Sequence, residues 1–372
     1  MKEKKSLLQH SGVQSVLAAV LCILFGLLIG YLVLLAIHPE TAGEAIITIV
    51  RNYMNYSAPA KQKMYLGNTL IKTAPLLMCA LSINFCYKTG LFNIGAAGQY
   101  VVGAGASLYA ALAFHLPWYV CILFAILAGG LWGCLVGLLK AYANVNEVIS
   151  GIMLNWIGLY LVNMLLGTVK ESTSNYTLKL RSENPSALIP SMGLNELFMK
   201  NKNVTIAIPL AVIFAIAIWV VLNKTKFGYE IRATGFNKEA ARYAGMNEKR
   251  NIILTLIIGG ALAALGASFL YLSGIEEWSV TQSSVPGMGF NGIAATFLGG
   301  LDPIGTIFSS YFIQHITSGG SYLDKNIYPS QVADLITSII IYLCGFVLFF
   351  KTTLNGRLER RNKSTGKENE KS

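Results

Sequence analysis

The side chains that could do chemistry inside the apolar stretches of this chain are nearly all neutral. Asn84, Asn93, Gln99, Asn155, Asn163, Thr296 and Gln314 lie in or beside runs rich in Leu, Ile, Val, Ala and Gly. Amides and hydroxyls can hydrogen-bond an uncharged hydrophilic solute without bringing charge into a low-dielectric interior. Acidic or histidine relays of the kind that couple protons or sodium are almost missing. Asp302 and Asp334 sit at segment ends, and Lys72 stands near the edge of its run, where its long stem is expected to snorkel outward. His10, His38, His115 and His315 are too scattered to ligate a metal, and none of the six cysteines has C-x-x-C spacing. No G-x-x-x-x-G-K-[ST] loop is present to cradle a nucleotide phosphate. These residues point to a path for a polar solute. No covalent chemistry, metal or cofactor is assigned to the chain.

The elements that position these groups follow from composition. Charged residues are 13% of the 372 against about 25% in a soluble domain, and hydrophobic residues are 54%, which excludes a soluble enzyme. The apolar runs are continuous and do not alternate, which argues for helices over a β-barrel. They fall at 13–37, 65–87, 95–114, 117–139, 148–168, 204–222, 252–274, 286–301, 303–317 and 332–350, so the expected fold is an all-α polytopic membrane protein with about ten transmembrane segments. The stretch 13–37 exceeds the roughly 7–15 residues of a signal peptide core and reads as a retained first span. Residues 286–301 and 303–317 are short, glycine-rich and separated by Asp302-Pro303, so they form either two thin crossings or one re-entrant hairpin.

Basic residues set the orientation. With the N-terminus inside, nineteen of the 29 Lys and Arg fall on the inner side and nine on the outer, with Lys72 in a span. Seven of the nineteen lie on the 223–251 loop. This scheme gives a cytoplasmic tail (1–12), a membrane body (13–350) and a basic cytoplasmic tail (351–372) expected to be disordered. Segments 65–168 and 252–350 are candidates for an inverted repeat. Each has a Phe-Asn pair in a glycine-rich string at its first break, Phe92-Asn93-Ile94-Gly95-Ala96 and Phe290-Asn291-Gly292-Ile293-Ala294.

The 223–251 loop predicts a short helix. Asn237 is a good N-cap, Lys238 to Ala244 are mostly helix formers, and Gly245 stands where a left-handed residue ends a helix. Ala240, Ala241 and Ala244 leave one face without bulk, flanked by Phe236 and Tyr243 as apolar anchors. Two readings stay open at this level: a surface loop helix, or an element that fits a groove in another protein.

Glu239-Ala240-Ala241-Arg242-Tyr243-Ala244-Gly245 resembles the E-A-A-x-x-x-G loop of ABC importer permeases, specifically the branch that imports simple sugars, nucleosides and branched-chain amino acids. Asn146-Glu147-Val148-Ile149-Ser150-Gly151-Ile152-Met153-Leu154-Asn155 is similar to a segment of nucleoside permeases. Gly90 to Gln99 resembles their F-N-I-G-x-E-G-Q string, with Ala97 replacing the acidic residue. The resemblance implies a permease subunit of an ABC importer for nucleosides in the plasma membrane, with both termini cytoplasmic. A simple sugar such as ribose or galactose, a branched-chain amino acid, or an ion-coupled carrier are the alternatives.

The implied partners are a cytoplasmic ATPase subunit that binds the ATP, a second permease expected to be a paralogue, and an extracellular substrate-binding lipoprotein. Asn237, Glu239, Ala240, Ala241, Tyr243 and Gly245 are the implied ATPase-coupling residues. Asn155 and Trp156 are candidates for the solute path, since an amide can bond a ribose or base and an indole can stack on a ring; interhelical packing is the other reading. Asn93, Gln99 and Asn291 complete the candidate path set, although Asn93 and Gln99 flank a turn whose freed backbone groups they are expected to satisfy first. Asn146 and Glu147 read as capping and dipole residues at a helix start.

Overall fold

A long apolar run shields its peptide groups from water, and helix formation satisfies them within the run. The computed structural model describes residues 11–328 and nine positions between 335 and 352. Its helices in chain order are α1 (Ser11–Ile37), α2 (Ala42–Arg51), α3 (Pro59–Tyr87), α4 (Ala96–Leu112), α5 (Trp118–Ala143), α6 (Glu147–Leu166), α7 (Leu180–Glu183), α8 (Leu194–Leu197), α9 (Ala207–Lys224), α10 (Lys226–Phe236), α11 (Lys238–Tyr243), α12 (Glu248–Tyr271), α13 (Met288–Leu298) and α14 (Pro303–Gly320). Six of these, α1, α3, α5, α6, α9 and α12, are long and apolar enough to cross a membrane. The segments 95–114, 286–301 and 303–317 correspond to the shorter or more polar α4, α13 and α14. Most of segment 332–350, Asp334, residues 1–10 and the tail beyond Thr352 lie outside the described residues.

The described residues pack as two units. The first draws on the described residues up to Asn52, on Phe297–Leu301 and on the described residues from His315 onward. Within it, α2 buries Ala42, Ala45 and Ile49, and Gly319 lies directly against the Ile49 backbone. His315 Nε2 donates to the Val50 carbonyl (2.8 Å), and its Nδ1 lies 3.2 Å from Asn52 Nδ2.

The second unit, Tyr53–Thr296 with Asp302–Gln314, is built around α12, which packs against α5, α3 and α4; α4 also lies on α5 and α6. Membrane helices gain little from hydrophobic burial against one another, so their association depends on close approach at small residues. Gly129, Gly133 and Gly137 recur every fourth residue on α5 and meet α12 along Ala264, Gly260, Leu256 and Ile253. A Cβ at Gly133 would fall on the Leu256 carbonyl, and one at Gly260 on the Gly129 carbonyl. The two backbones therefore touch. Lys72 of α3 reaches Glu276 in the connection after α12 (2.6 Å).

At Asp302-Pro303 the chain breaks as its residues dictate. Asp302 Oδ1 accepts from Ile304 N–H (2.9 Å) and Gly305 N–H (3.2 Å), and Pro303 opens α14. The two Phe-Asn strings differ. Phe92 to Gly95 form an irregular turn between α3 and α4, whereas Phe290 to Ala294 lie inside α13. The reason is packing: Gly292 is used to bring α13 onto the Cys79 and Ala80 backbone, where Thr296 Oγ1 donates to the Ala80 carbonyl (2.8 Å).

Neighbouring glycines of α5 should respond with opposite sign. Gly133→Ala is expected to lower stability by about 1–3 kcal/mol through overpacking. Gly130→Ala, whose new Cβ would meet Ile257 at an ordinary 3.6 Å, is expected to be neutral or stabilising by about 0.5–1 kcal/mol through helix propensity. Thermal unfolding of the detergent-solubilised variants checks this; equal midpoints for the two would contradict the packing account.

Candidate functional site

The 223–251 loop is more structured than its sequence suggests. Thr225 caps α10, its Oγ1 accepting from Gly228 N–H (3.1 Å). This helix is unanticipated, because Gly228, Thr234 and Gly235 weaken the helical pattern; the Thr225 cap is the signal that could have revealed it. Asn237 Oδ1 then accepts from Ala240 N–H (3.0 Å) and starts α11. Met246 N–H bonds the Ala241 carbonyl and Gly245 N–H the Arg242 carbonyl, both at 3.0 Å. With Gly245 at φ +80°, this is a Schellman ending. No atom lies within 4 Å of a Cβ built at Gly245, so the glycine is required there by backbone conformation alone.

The faces of α11 divide cleanly. Ala241 is buried, while Glu239, Ala240 and Ala244 are exposed. Phe236 is 95% exposed and Tyr243 92% exposed. Two large aromatics held almost wholly in solvent at the ends of a two-turn helix are costly unless another surface covers them. Beside Phe236 lies a shallow groove that Tyr229, Arg232, Ala233, Ala240 and Ala244 help to line.

The amides of the α3–α4 turn face one another. Asn93 Nδ2 donates to Ser82 Oγ (3.0 Å) and to Gln99 Oε1 (2.9 Å), and Gln99 Nε2 donates back to Asn93 Oδ1 (3.2 Å). Asn155 Oδ1 accepts from Gly98 N–H (2.7 Å), and its Nδ2 donates to the Ile94 carbonyl (3.1 Å). All three are buried, and their amides bond backbone or each other. Trp156 points the opposite way on α6, 41% exposed and stacked on Tyr160 with ring centroids 6.2 Å apart. Asn291 is half-buried on α13. The structure thus joins Asn93 and Gln99 and sets Asn155 beside the same turn, and it leaves Trp156 apart on the exposed face of α6. Asn146 Oδ1 caps α6 at Val148 N–H (2.8 Å), and Glu147 pairs with Lys140 (2.7 Å). Ala97 lies against the Gly289 backbone of α13.

Sequence reasoning missed Trp278, which is fully buried and donates from Nε1 to Asn163 Oδ1 (2.9 Å). A lone indole in a polar connection was the available sign. Among the described residues no group of three His, Cys, Asp or Glu side chains could hold a metal ion.

Residues 65–345 match the family model described as "Branched-chain amino acid transport system / permease component". The chain is 33% identical to the guanosine ABC transporter permease protein NupP of Bacillus subtilis, over 83% of this chain and 90% of that protein. It is 30% identical to the nucleoside ABC transporter permease protein NupB of Lactococcus lactis, over 96% and 98%. It is 29% identical to the glucose ABC transporter permease protein TsgB13 of Haloferax volcanii, over 89% and 87%.

Asn155→Leu removes the partner of one buried N–H and one buried carbonyl, each worth about 1–3 kcal/mol when left unmade. The variant is expected to be markedly less stable than Trp156→Ala, which truncates an exposed ring. A thermal midpoint for Asn155→Leu at or above that of Trp156→Ala would count against the structural assignment of this amide.

Proposed function

Because this chain belongs to the family of branched-chain amino acid transport system permease components, we propose that it is the membrane subunit of an ATP-driven importer whose solute is a nucleoside. The observation that carries the mechanism is α11, a doubly capped short helix that presents Tyr243 to solvent, with Phe236 exposed at the end of α10 before it. It has the form of a helix that docks in a groove of a cytoplasmic ATPase, with Asn237, Glu239, Ala240, Ala241, Tyr243 and Gly245 forming or shaping the contact. ATP is bound and hydrolysed by that partner. The cycle biases the permease between outward- and inward-open states.

The basic residues support an orientation with both termini and the 223–251 loop cytoplasmic in the plasma membrane. Ten crossings follow, with 286–317 supplying a short pair. Burial holds the Lys88 amine below its ordinary pKa, while the Asp302 carboxylate opposes the shift and Arg232 adds to it. That proximity supports a break at Asp302 on the same side as the 88–94 turn. Residues 1–12 and 351–372 are cytoplasmic tails in this reading.

A second permease, a paralogue of this chain, completes the pore, and an extracellular lipoprotein delivers the solute. The exposed face of α6, with Met153, Trp156, Tyr160 and Met164, is available for lipid or for that second subunit. Asn93, Gln99, Asn155 and Asn291 act near the path as its frame, since the first three have their amides committed to protein partners.

The complex of this chain, its second permease, ATPase and binding protein, reconstituted in liposomes, is expected to accumulate labelled guanosine only with ATP. Uptake should survive excess ribose, galactose, glucose or leucine and vanish with unlabelled nucleoside. Competition by a sugar instead would favour the glucose-type reading, and accumulation by the chain alone under a proton or sodium gradient would overturn the ATP-driven one.

Gly245→Val places a β-branched residue at φ +80°, at a cost of about 1–3 kcal/mol. It should reduce copurified ATPase several-fold; wild-type yield would contradict the docking role.

A further inference from the structure

The helix that would meet the ATPase is short and exposed, so its motion matters only if something rigid carries it inward. Within the second packing unit, α10 leads into α11 and is seated on two other elements by its last turn. Thr234 of α10 is fully buried and accepts from Asn251 Nδ2 of α12 (3.0 Å) while donating to the Glu230 carbonyl (2.8 Å). The next residue, Gly235, lies backbone to backbone on Lys88 and Thr89, so that a Cβ there would fall on the Lys88 carbonyl. Gly90, the next residue of that turn, at φ +75°, also lies against the Gly235 backbone. Thr89 is buried in turn, with its Oγ1 3.0 Å from Thr255 Oγ1 of α12.

Asn251 and Thr255 are four residues apart and so share one face of α12. That face holds α10 through one residue and the α3–α4 turn through the other. Beyond the turn there is no slack. Asn93 binds both Gln99 and Ser82, and Asn155 grips the Ile94 carbonyl and the Gly98 N–H at the start of α4. A shift of α10 is therefore passed on through hydrogen-bonded groups that have no water to take instead. Apolar side chains of the same size could fill these positions without desolvating polar atoms. Thr89, Thr234, Asn251 and Thr255, all at 0–1% exposure, instead specify one register between three elements.

We propose that the pairs Thr234–Asn251 and Thr89–Thr255 are positioning contacts that transmit movement of α10 and α11 to the α3–α4 turn and so to the N-terminus of α4. The inference rests on the importer reading above and names the residues that couple ATP hydrolysis to opening of the path.

The test uses the complete importer reconstituted in liposomes, with ATP hydrolysis and nucleoside uptake measured together. Thr234→Val with Asn251→Leu removes both partners and leaves no orphaned polar atom, so the chain is expected to fold and to retain its ATPase. Nucleoside transported per ATP hydrolysed should fall at least about fivefold, and Thr234→Ser, which keeps the hydroxyl, should restore the wild-type ratio. Thr89→Val with Thr255→Val preserves volume, applies the same test to the second pair and decides the matter if the first double variant fails to fold. Wild-type stoichiometry in a folded double variant overturns the inference and leaves the importer reading intact. A wild-type complex without ATP-dependent nucleoside uptake overturns both.

Discussion

A helix that stops inside a protein's apolar interior strands peptide groups that water cannot reach, and the break between α3 and α4 is where this chain meets that constraint. About two turns into α6, Asn155 satisfies one freed carbonyl and one freed N–H of the break. Asn93 and Gln99 close on each other, and Asn93 on Ser82. The solution lets α4 begin deep in the fold, where Gly98 approaches Asn155 of α6 closely enough that a side chain would not fit. Non-helical backbone is tolerated at such depth only when protein groups take the place of water.

The same economy of contact governs the helix pairs. Where α5 meets α12, and where Gly235 of α10 meets the 88–90 turn, glycines bring peptide backbones together; where α12 meets α10 and that turn, buried threonine and asparagine side chains hold them with directional bonds. The first kind of contact holds helices together by close approach at small residues. The second fixes register, which suits an element that must carry motion. In the proposed importer, an exposed α11 attached to such a seat serves as a lever with a defined fulcrum.

Much of this was legible in one dimension because it depends on neighbours in sequence. The apolar runs predicted helices since their peptide groups must bond locally, and α11 could be bounded from Asn237 and Gly245 since caps act within a turn. Asp302-Pro303 likewise announced a helix start. α10 was missed because its glycines and threonines are poor helix formers in isolation, and Gly228 and Gly235 are present for backbone approach to α9 and to the 88–89 turn. The Phe290-Asn291-Gly292 string misled for a related reason: a glycine can make a turn or admit a neighbouring backbone, and local sequence does not distinguish the two.

The sequence by itself determined that this is a multi-helix membrane protein, which family motif it carries and where its short capped helix lies, because composition, hydrophobic run length and capping are properties of contiguous residues. Tertiary structure alone decided what the amides do. Asn155 and Trp156 are adjacent in the chain and equal as candidates on paper, yet one side chain turns inward to mend a broken helix and the other faces out beside Tyr160. The α-helix places consecutive residues about 100° apart, so the fate of each depends on which element lies across from it, and that is fixed by packing between segments distant in sequence.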